Sequence, residues 1–277
     1  MTEPTRAGAV RAAMTSMTLN DGRTMPQLGM GTYLIPDSQA ASVMRAGIDL
    51  GFAMVDTAAI YHNERGVGDG LRGGEIWITT KLWNDRHADA AAALDESLAL
   101  LGRDSVDLYL IHWPHPSGGE YVAAWKGLIA AHEAGKAKSI GVSNFLPEHI
   151  DAIVAATGVT PAVNQIELHP RFQQREQRAY HDAHGIVTQS WSPLGQGEVL
   201  GEAVVTTIAA RLGATAAQVV IAWHLSHGLS VIPKAADAGH LADNHGALAV
   251  ELSDADVAAI DALDDAGGRI GPEPGAM

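Results

Sequence analysis

DSVDLYLIHWP, residues 104–114, is the stretch from which the fold can be read. Val106 to Ile111 is almost wholly apolar and rich in β-formers. A run this short, bounded by polar and turn residues, predicts a strand buried on both faces, as in a parallel sheet. It ends on His112, Trp113 and Pro114. An imidazole and an indole at the C-terminal tip of such a strand stand where an α/β protein keeps its chemistry. Taken alone, His112 could equally be a core histidine with a satisfied hydrogen bond.

Working outward, the same unit recurs. Apolar runs over 29–34, 52–55, 76–80, 137–142, 162–166, 186–189 and 229–232 read as further strands. Between them lie segments with helical spacing; in the first, Val43, Ala46, Gly47 and Leu50 share a face, behind Pro36, Asp37 and Ser38 as start and cap. Helices are expected through Leu50 and over 64–71, 88–101, 120–133, 147–156, 173–183, 204–212 and 215–226, with two more near 239–247 and 254–263. Eight strands alternating with helices, with no linker-like break, predict an α/β fold: a (β/α)8 TIM barrel. An open doubly wound sheet is the runner-up, but the first strand runs into Tyr33-Leu34-Ile35-Pro36 and not into a Gly-rich phosphate turn. Asn20-Asp21-Gly22 predicts an N-terminal β-hairpin ahead of the barrel, and the last helix is extra to it. Residues 1–16, small, polar and Ala/Gly-rich, read as a disordered lead, and 17–277 as one domain.

The 277 residues carry 18 Lys and Arg against 32 Asp and Glu, a net charge of −14, and no cysteine. The acidic balance argues against nucleic acid and against an anionic membrane surface as partners. Without cysteine there is no disulfide, Fe–S cluster, thiolate zinc site or Cys nucleophile. No apolar run reaches a membrane span and no signal peptide is evident, so a soluble cytoplasmic protein, a monomer, is expected.

Three consecutive strands end on Asp56, Lys81 and His112, and Tyr61 follows Asp56 by five residues. In a barrel these ends ring one mouth. A phenol has a pKa near ~10, and a neighbouring Lys81 ammonium is expected to lower it. A buried lysine needs a carboxylate, which Asp56 can supply. His112 can orient or polarise a carbonyl. The set is that of an acid protonating an oxygen that becomes an alkoxide; a hydride source is missing. Singly, Tyr61 could be loop packing, and Asp56 with Lys81 a structural ion pair. On later strands, Ser143, Asn144 and Gln165 can hydrogen-bond a carboxamide, Trp191 offers a flat face for a nicotinamide, and Lys234 suits a phosphate.

GFAMVDTAAIYHNE (51–64), ITTKLW (78–83), VDLYLIHWP (106–114), SIGVSNF (139–145), PAVNQIELHP (161–170), WSPLGQG (191–197) and IPK (232–234), in this order, resemble the aldo-keto reductases over most of the chain. KLWNDRH (81–87), IVAATGV (153–159) and LGQG (194–197) are similar to the prokaryotic branch that includes 2,5-diketo-D-gluconate reductase. The resemblance implies a barrel binding NADPH, with a catalytic tetrad at Asp56, Tyr61, Lys81 and His112 and no metal. It implies cofactor contacts at Gly31, Thr32, Tyr33, Asp56, Ser143, Asn144, Gln165, Trp191, Ser192, Pro193, Leu194, Gln196, Ile232, Pro233, Lys234, Ala235, His240, Asp243 and Asn244. A small-molecule carbonyl substrate (aldehyde, ketone, α-dicarbonyl or keto-sugar) would meet Tyr33, Tyr61, Trp83, His112, Trp113 and the tail after Arg269. The family usually has Ser and Arg where this chain has Ala235 and His240. Histidine is a poorer clamp for a 2′-phosphate, so weakened preference for NADPH, with NADH accepted, is expected. The link 72–75 looks shortened, on the face away from the chemistry. Two other readings compete: a cofactor-binding regulatory or structural protein on the same fold, and a metal-dependent hydrolase using Asp56, His112, Glu167 and His169.

Overall fold

The computed structural model describes residues 16–71 and 74–277. The expected lead lies outside the described residues except for Ser16, which is already in a strand; Arg72 and Gly73 of the shortened link also lie outside them. β1 (Ser16–Thr18) and β2 (Thr24–Pro26) form the antiparallel hairpin around Asn20-Asp21-Gly22. Then come β3 (Met30–Gly31), α1 (Asp37–Leu50), β4 (Met54–Asp56), α2 (Glu64–Gly70), β5 (Trp77–Leu82), α3 (Ala90–Leu101), β6 (Val106–Ile111), α4 (Tyr121–Glu133), β7 (Ala137–Ser143), α5 (Pro147–Thr157), β8 (Val163–Glu167), α6 (Arg175–Ala183), β9 (Val187–Trp191), α7 (Ala203–Leu212), α8 (Ala216–Ser226), β10 (Ser230–Val231), α9 (Ala238–Gly246) and α10 (Asp254–Asp261).

β3 to β10 pair in parallel, each with its neighbour in sequence. The sheet closes on itself: the Gly29 and Gly31 amides donate to the Val231 and Pro233 carbonyls at 2.9 and 3.1 Å. This is the (β/α)8 barrel, with the hairpin at its N-terminal end. The first strand is shorter than expected, because the chain leaves the sheet at Thr32 and Leu34 takes a left-handed φ of 61°. The expected cap of α1 also differs: Asp37 is its first residue, and its carboxylate accepts the Gly66 amide at 2.7 Å, tying α1 to α2.

β6 shows why the strands read as continuous apolar runs. Leu108 and Leu110 point into the barrel, where they pack with Met54, Val163 and Ile232 and with Leu19 and Met25 of the hairpin region. Tyr109 and Ile111 point outward against the helices, beside Leu94, Leu98, Trp125 and Leu128. Side chains alternate across a strand, so both faces must be apolar. The same alternation puts the residue after Ile111 on the inner face at the mouth. That residue is His112.

The staggered register carries this round the barrel. Asp56 pairs with Thr79, two residues before Lys81; Lys81 pairs with Leu110, two before His112. Each inward polar residue therefore tops an inward apolar or small one, and the strand ends meet at one rim.

Gly141 on β7 marks how tightly the interior is filled: a Cβ there would lie 2.5 Å from the Val163 carbonyl oxygen and 2.8 Å from Leu110 Cδ2. Gly141→Ala is expected to destabilise by about 1–3 kcal/mol through overpacking. Gly201→Ala, where nothing lies within 4 Å, should be near neutral. Denaturant unfolding of the two variants checks the pair.

Candidate active site

The rim holds a buried ion pair. Lys81 Nζ donates to Asp56 Oδ1 and, at 2.8 Å, to the Thr57 carbonyl; both side chains are buried. Asp56 Oδ2 accepts Gln165 Nε2 at 2.7 Å. Burial dominates the protonation of both partners: it pushes Asp56 up and Lys81 down, and their mutual attraction opposes this. Glu64 adds a second carboxylate behind Lys81, bonded by the Thr80 hydroxyl at 2.6 Å and likewise pushed up by burial. The loop leaving β4 is held from beneath: Thr57 Oγ1 donates to Asn63 Oδ1 at 2.8 Å, and Asn63 Nδ2 donates to the carbonyls of Thr32 and Ile35.

That loop presents Tyr61 from a short 3-10 turn, Ala59–Tyr61. Its ring packs on Tyr33 at 5.2 Å and on the edge of His112 at 5.6 Å. Lys81 Nζ lies over the Tyr61 ring, 5.1 Å from its centre. The expectation that Lys81 lowers the phenol's pKa is overturned. The lysine's charge is taken up by Asp56, so burial, then the charge of Asp56, raises Tyr61 well above the ordinary 10.0. His112 is held well below its ordinary value by burial and by the charge of Lys81, so its ring is neutral. Its Nδ1 is buried without a hydrogen-bond partner, and Trp83 packs on its other side at 5.1 Å.

The next strands supply a chain of amides. Asn144, in a left-handed turn (φ 61°), donates Nδ2 to the His112 carbonyl and to Ser143 Oγ, both at 3.0 Å, and its Oδ1 accepts Trp191 Nε1 at 2.8 Å. Ser143 Oγ donates to the Gln165 carbonyl at 2.8 Å. Gln165 spends its second N–H on Gln189 Oε1 at 2.7 Å, and Gln189 reaches Ser230 Oγ at 2.9 Å. The amide donors of Asn144 and Gln165 are thus already engaged within the protein.

A cavity of about 440 Å³ opens above these residues. Of the residues singled out from sequence, Gly31, Thr32, Tyr33, Asp56, Tyr61, Trp83, His112, Trp113, Ser143, Asn144, Gln165, Trp191, Ser192, Pro193, Gln196, Ile232 and Lys234 line it. Lys81 stands behind Asp56, outside the lining. Leu194, Pro233, Ala235, His240, Asp243 and Asn244 do not line it either. His240 is exposed and pairs through Nδ1 with Asp237 Oδ2 at 2.6 Å, while Asp237 caps α9. Asp243 accepts the Thr215 hydroxyl at 2.9 Å. Sequence reading missed Ile60 in the wall and the interior pair Gln189 and Ser230; nothing in their local patterns marks them. Ile270, Gly271, Pro272 and Met277 of the tail complete the wall.

Three of the four donors of the metal-hydrolase reading are otherwise engaged. Asp56 is bonded to Lys81, Glu167 takes the amides of Ile270 and Gly271, and His169 faces Glu167 at 3.3 Å. Among the described residues, no group of three or more His, Asp or Glu side chains is placed to hold a metal ion.

Residues 26–265 match the model of the aldo/keto reductase family. The chain belongs to this family. It is an oxidoreductase acting on carbonyl groups. It is 44% identical over 267 residues to a methylglyoxal reductase, DkgA, of Escherichia coli, covering 94% of this chain and 97% of that one. It is also 44% identical to an aldo-keto reductase of Mycolicibacterium smegmatis, covering 93% and 96%. Among solved structures, a Gox0644 mutant in complex with NADPH superposes with a TM-score of 0.94 at 48% identity, covering 96% and 99%.

The geometry separates stability from chemistry within the reductase rim. Lys81→Met leaves the Asp56 carboxylate buried and unpaired, and is expected to cost about 3–5 kcal/mol at neutral pH. Without its lysine, Asp56 has a folded-state pKa raised further above the unfolded value. A raised carboxyl favours folding below the unfolded pKa and loses that advantage as pH climbs, so the deficit should shrink at pH about 5 relative to about 8. Urea unfolding at the two pH values checks the sign.

Proposed function

We propose that this enzyme reduces small aldehydes, α-dicarbonyls and related ketones, methylglyoxal among them, to alcohols with NADPH, Tyr61 acting as general acid. It works as one barrel domain from residue 17 onward, a cytoplasmic monomer. The observation that carries the reading is the meeting of Tyr61 and a neutral His112 at one end of the cavity, over a buried Asp56–Lys81 pair.

The residues fit a nicotinamide cofactor. Trp191, half-buried, presents an indole held by Asn144; Ser192, Pro193, Gln196 and Ile232 continue the wall; exposed Lys234 closes that side near the start of α9. When bound, NADPH supplies the hydride. The chain's own residues do the rest. His112, neutral and flanked by Tyr61 and Trp83, orients the carbonyl oxygen toward the phenol. Tyr61 holds a proton at its hydroxyl and gives it up as the oxygen gains charge. An alkoxide approaches hydroxide in basicity (water, ~15.7), so the phenol need not be acidified for this transfer to run downhill. The cavity's indoles and aliphatic side chains exclude water and strengthen each polar contact. The methylglyoxal reductase relatives and the NADPH complex of Gox0644 support substrate and cofactor.

Tyr61→Phe should lose about 10²–10⁴ in kcat with methylglyoxal while unfolding at nearly the wild-type denaturant concentration. Because Tyr61 is shifted up and His112 down, neither titrates between pH about 6 and 9, and kcat for reduction should be flat there. A break in that window would remove the protonated-phenol assignment.

The cofactor's far end carries a different expectation. A 2′-phosphate near His240 would share it with Asp237, whose carboxylate already holds the imidazole. Preference for NADPH over NADH is therefore expected to stay below about a thousandfold in kcat/KM, ~4 kcal/mol. Parallel steady-state assays with the two cofactors decide it.

A further inference from the structure

The tail that completes the cavity wall meets a buried carboxylate at the barrel rim. Glu167, at the inner tip of β8, is buried, and its two carboxylate oxygens accept consecutive backbone amides of the tail: Oε1 from Ile270 at 2.7 Å, Oε2 from Gly271 at 2.8 Å. His169 Nε2 lies 3.3 Å from Oε1. These hydrogen bonds hold the carboxyl below its usual range in spite of burial. Glu167 touches neither Tyr61 nor the Asp56–Lys81 pair in any of these bonds.

The seat is tailored on the other side as well. A Cβ on Gly271 would come within 2.3 Å of Trp191 Cη2 and 2.8 Å of Glu167 Oε2. The tail backbone therefore lies close against both the carboxylate and the indole. Trp191 is in turn bonded to Asn144, which holds the His112 carbonyl. Outside this clasp the tail is held near its start by Arg269, which lies over the Phe172 ring and pairs with Glu273 within the tail itself.

We propose that Glu167 is a positioning residue that clasps the tail to the barrel rim, so that Ile270 and Pro272 form the wall that fits the cavity to small carbonyl substrates. This rests on the reductase reading and deepens it. A carboxylate suits two parallel N–H donors because both its oxygens accept with negative charge. Glutamine has the same shape but turns an NH2 toward one of the amides. That loses a charge-assisted bond and leaves a buried donor facing a donor.

The test uses Glu167→Gln, with Glu167→Asp as the conservative variant and Gly271→Ala as a second route that displaces the tail without altering Glu167. Two readouts are taken on the full chain. Limited trypsin digestion, followed by mass spectrometry, times cleavage after Arg269 and release of residues 270–277. Steady-state kinetics compares methylglyoxal with a bulky aryl aldehyde. Loss of one charged hydrogen bond predicts cleavage about tenfold faster in Glu167→Gln, and a methylglyoxal KM raised about tenfold with kcat within about twofold. The aryl aldehyde KM should be unchanged or lower. Glu167→Asp should restore part of both effects, and Gly271→Ala should reproduce them even where Glu167→Gln fails to fold. Unchanged cleavage overturns the clasp. Faster cleavage with an unchanged KM ratio, or a fall in kcat alone, overturns its role in substrate fit. Wild-type protein that turns over neither substrate removes the reductase reading instead, and the proposed role in substrate fit with it, while the cleavage times still decide the clasp.

Discussion

Everything at the mouth depends on the burial of a single ion pair. Moving Lys81 and Asp56 out of water is costly unless each charge is fully met. Here Asp56 answers Lys81, the Thr57 carbonyl takes a second ammonium proton, and Gln165 crosses the barrel to the other carboxylate oxygen. Burial and the charge of Lys81 keep His112 neutral, while burial and the charge of Asp56 keep Tyr61 a phenol.

The polar residues behind the pair form a continuous ladder. Asp56, Gln165, Gln189 and Ser230 hydrogen-bond in turn across the barrel from β4 to β10. A partly satisfied buried network is more costly than none, and this one is closed strand to strand. Asn144 performs a similar service above it, joining the His112 carbonyl to the Trp191 indole. The cavity rests on a floor whose donors are already committed, under a wall that is largely aromatic and aliphatic: Trp83, Trp113, Ile60, Ile270 and Pro272. Such a site grips small carbonyl compounds mainly by shape, with few polar contacts for orientation.

Much of this was legible in the chain. β6 occurs where the apolar run 106–111 places it, because a strand buried on both faces needs apolar residues at every position. The polar residue beyond each run follows by alternation, so spacing alone sets Asp56, Lys81 and His112 on one rim. The sense of the Tyr61 shift was not legible. It depends on which neighbour meets the lysine's charge, a matter of ångströms. Gln189 and Ser230 were equally hidden, since a polar residue inside a strand has no local signature and is explained only by its partner across the barrel. Leu194, Pro233 and Ala235 sit in the right loops but do not line the cavity.

By itself the sequence determined the barrel, its hairpin, the order of its strands and the four groups at its mouth. Those properties are written in periodicity and spacing, which the chain carries locally. The tertiary structure decided what only distance can decide: that Asp56 satisfies Lys81, that burial outweighs attraction at Tyr61, that His240 is held by Asp237, and that Glu167 meets the amides of Ile270 and Gly271, more than a hundred residues further along the chain. Hydrogen bonds and burial act over a few ångströms in space, and separation along the chain carries no record of them.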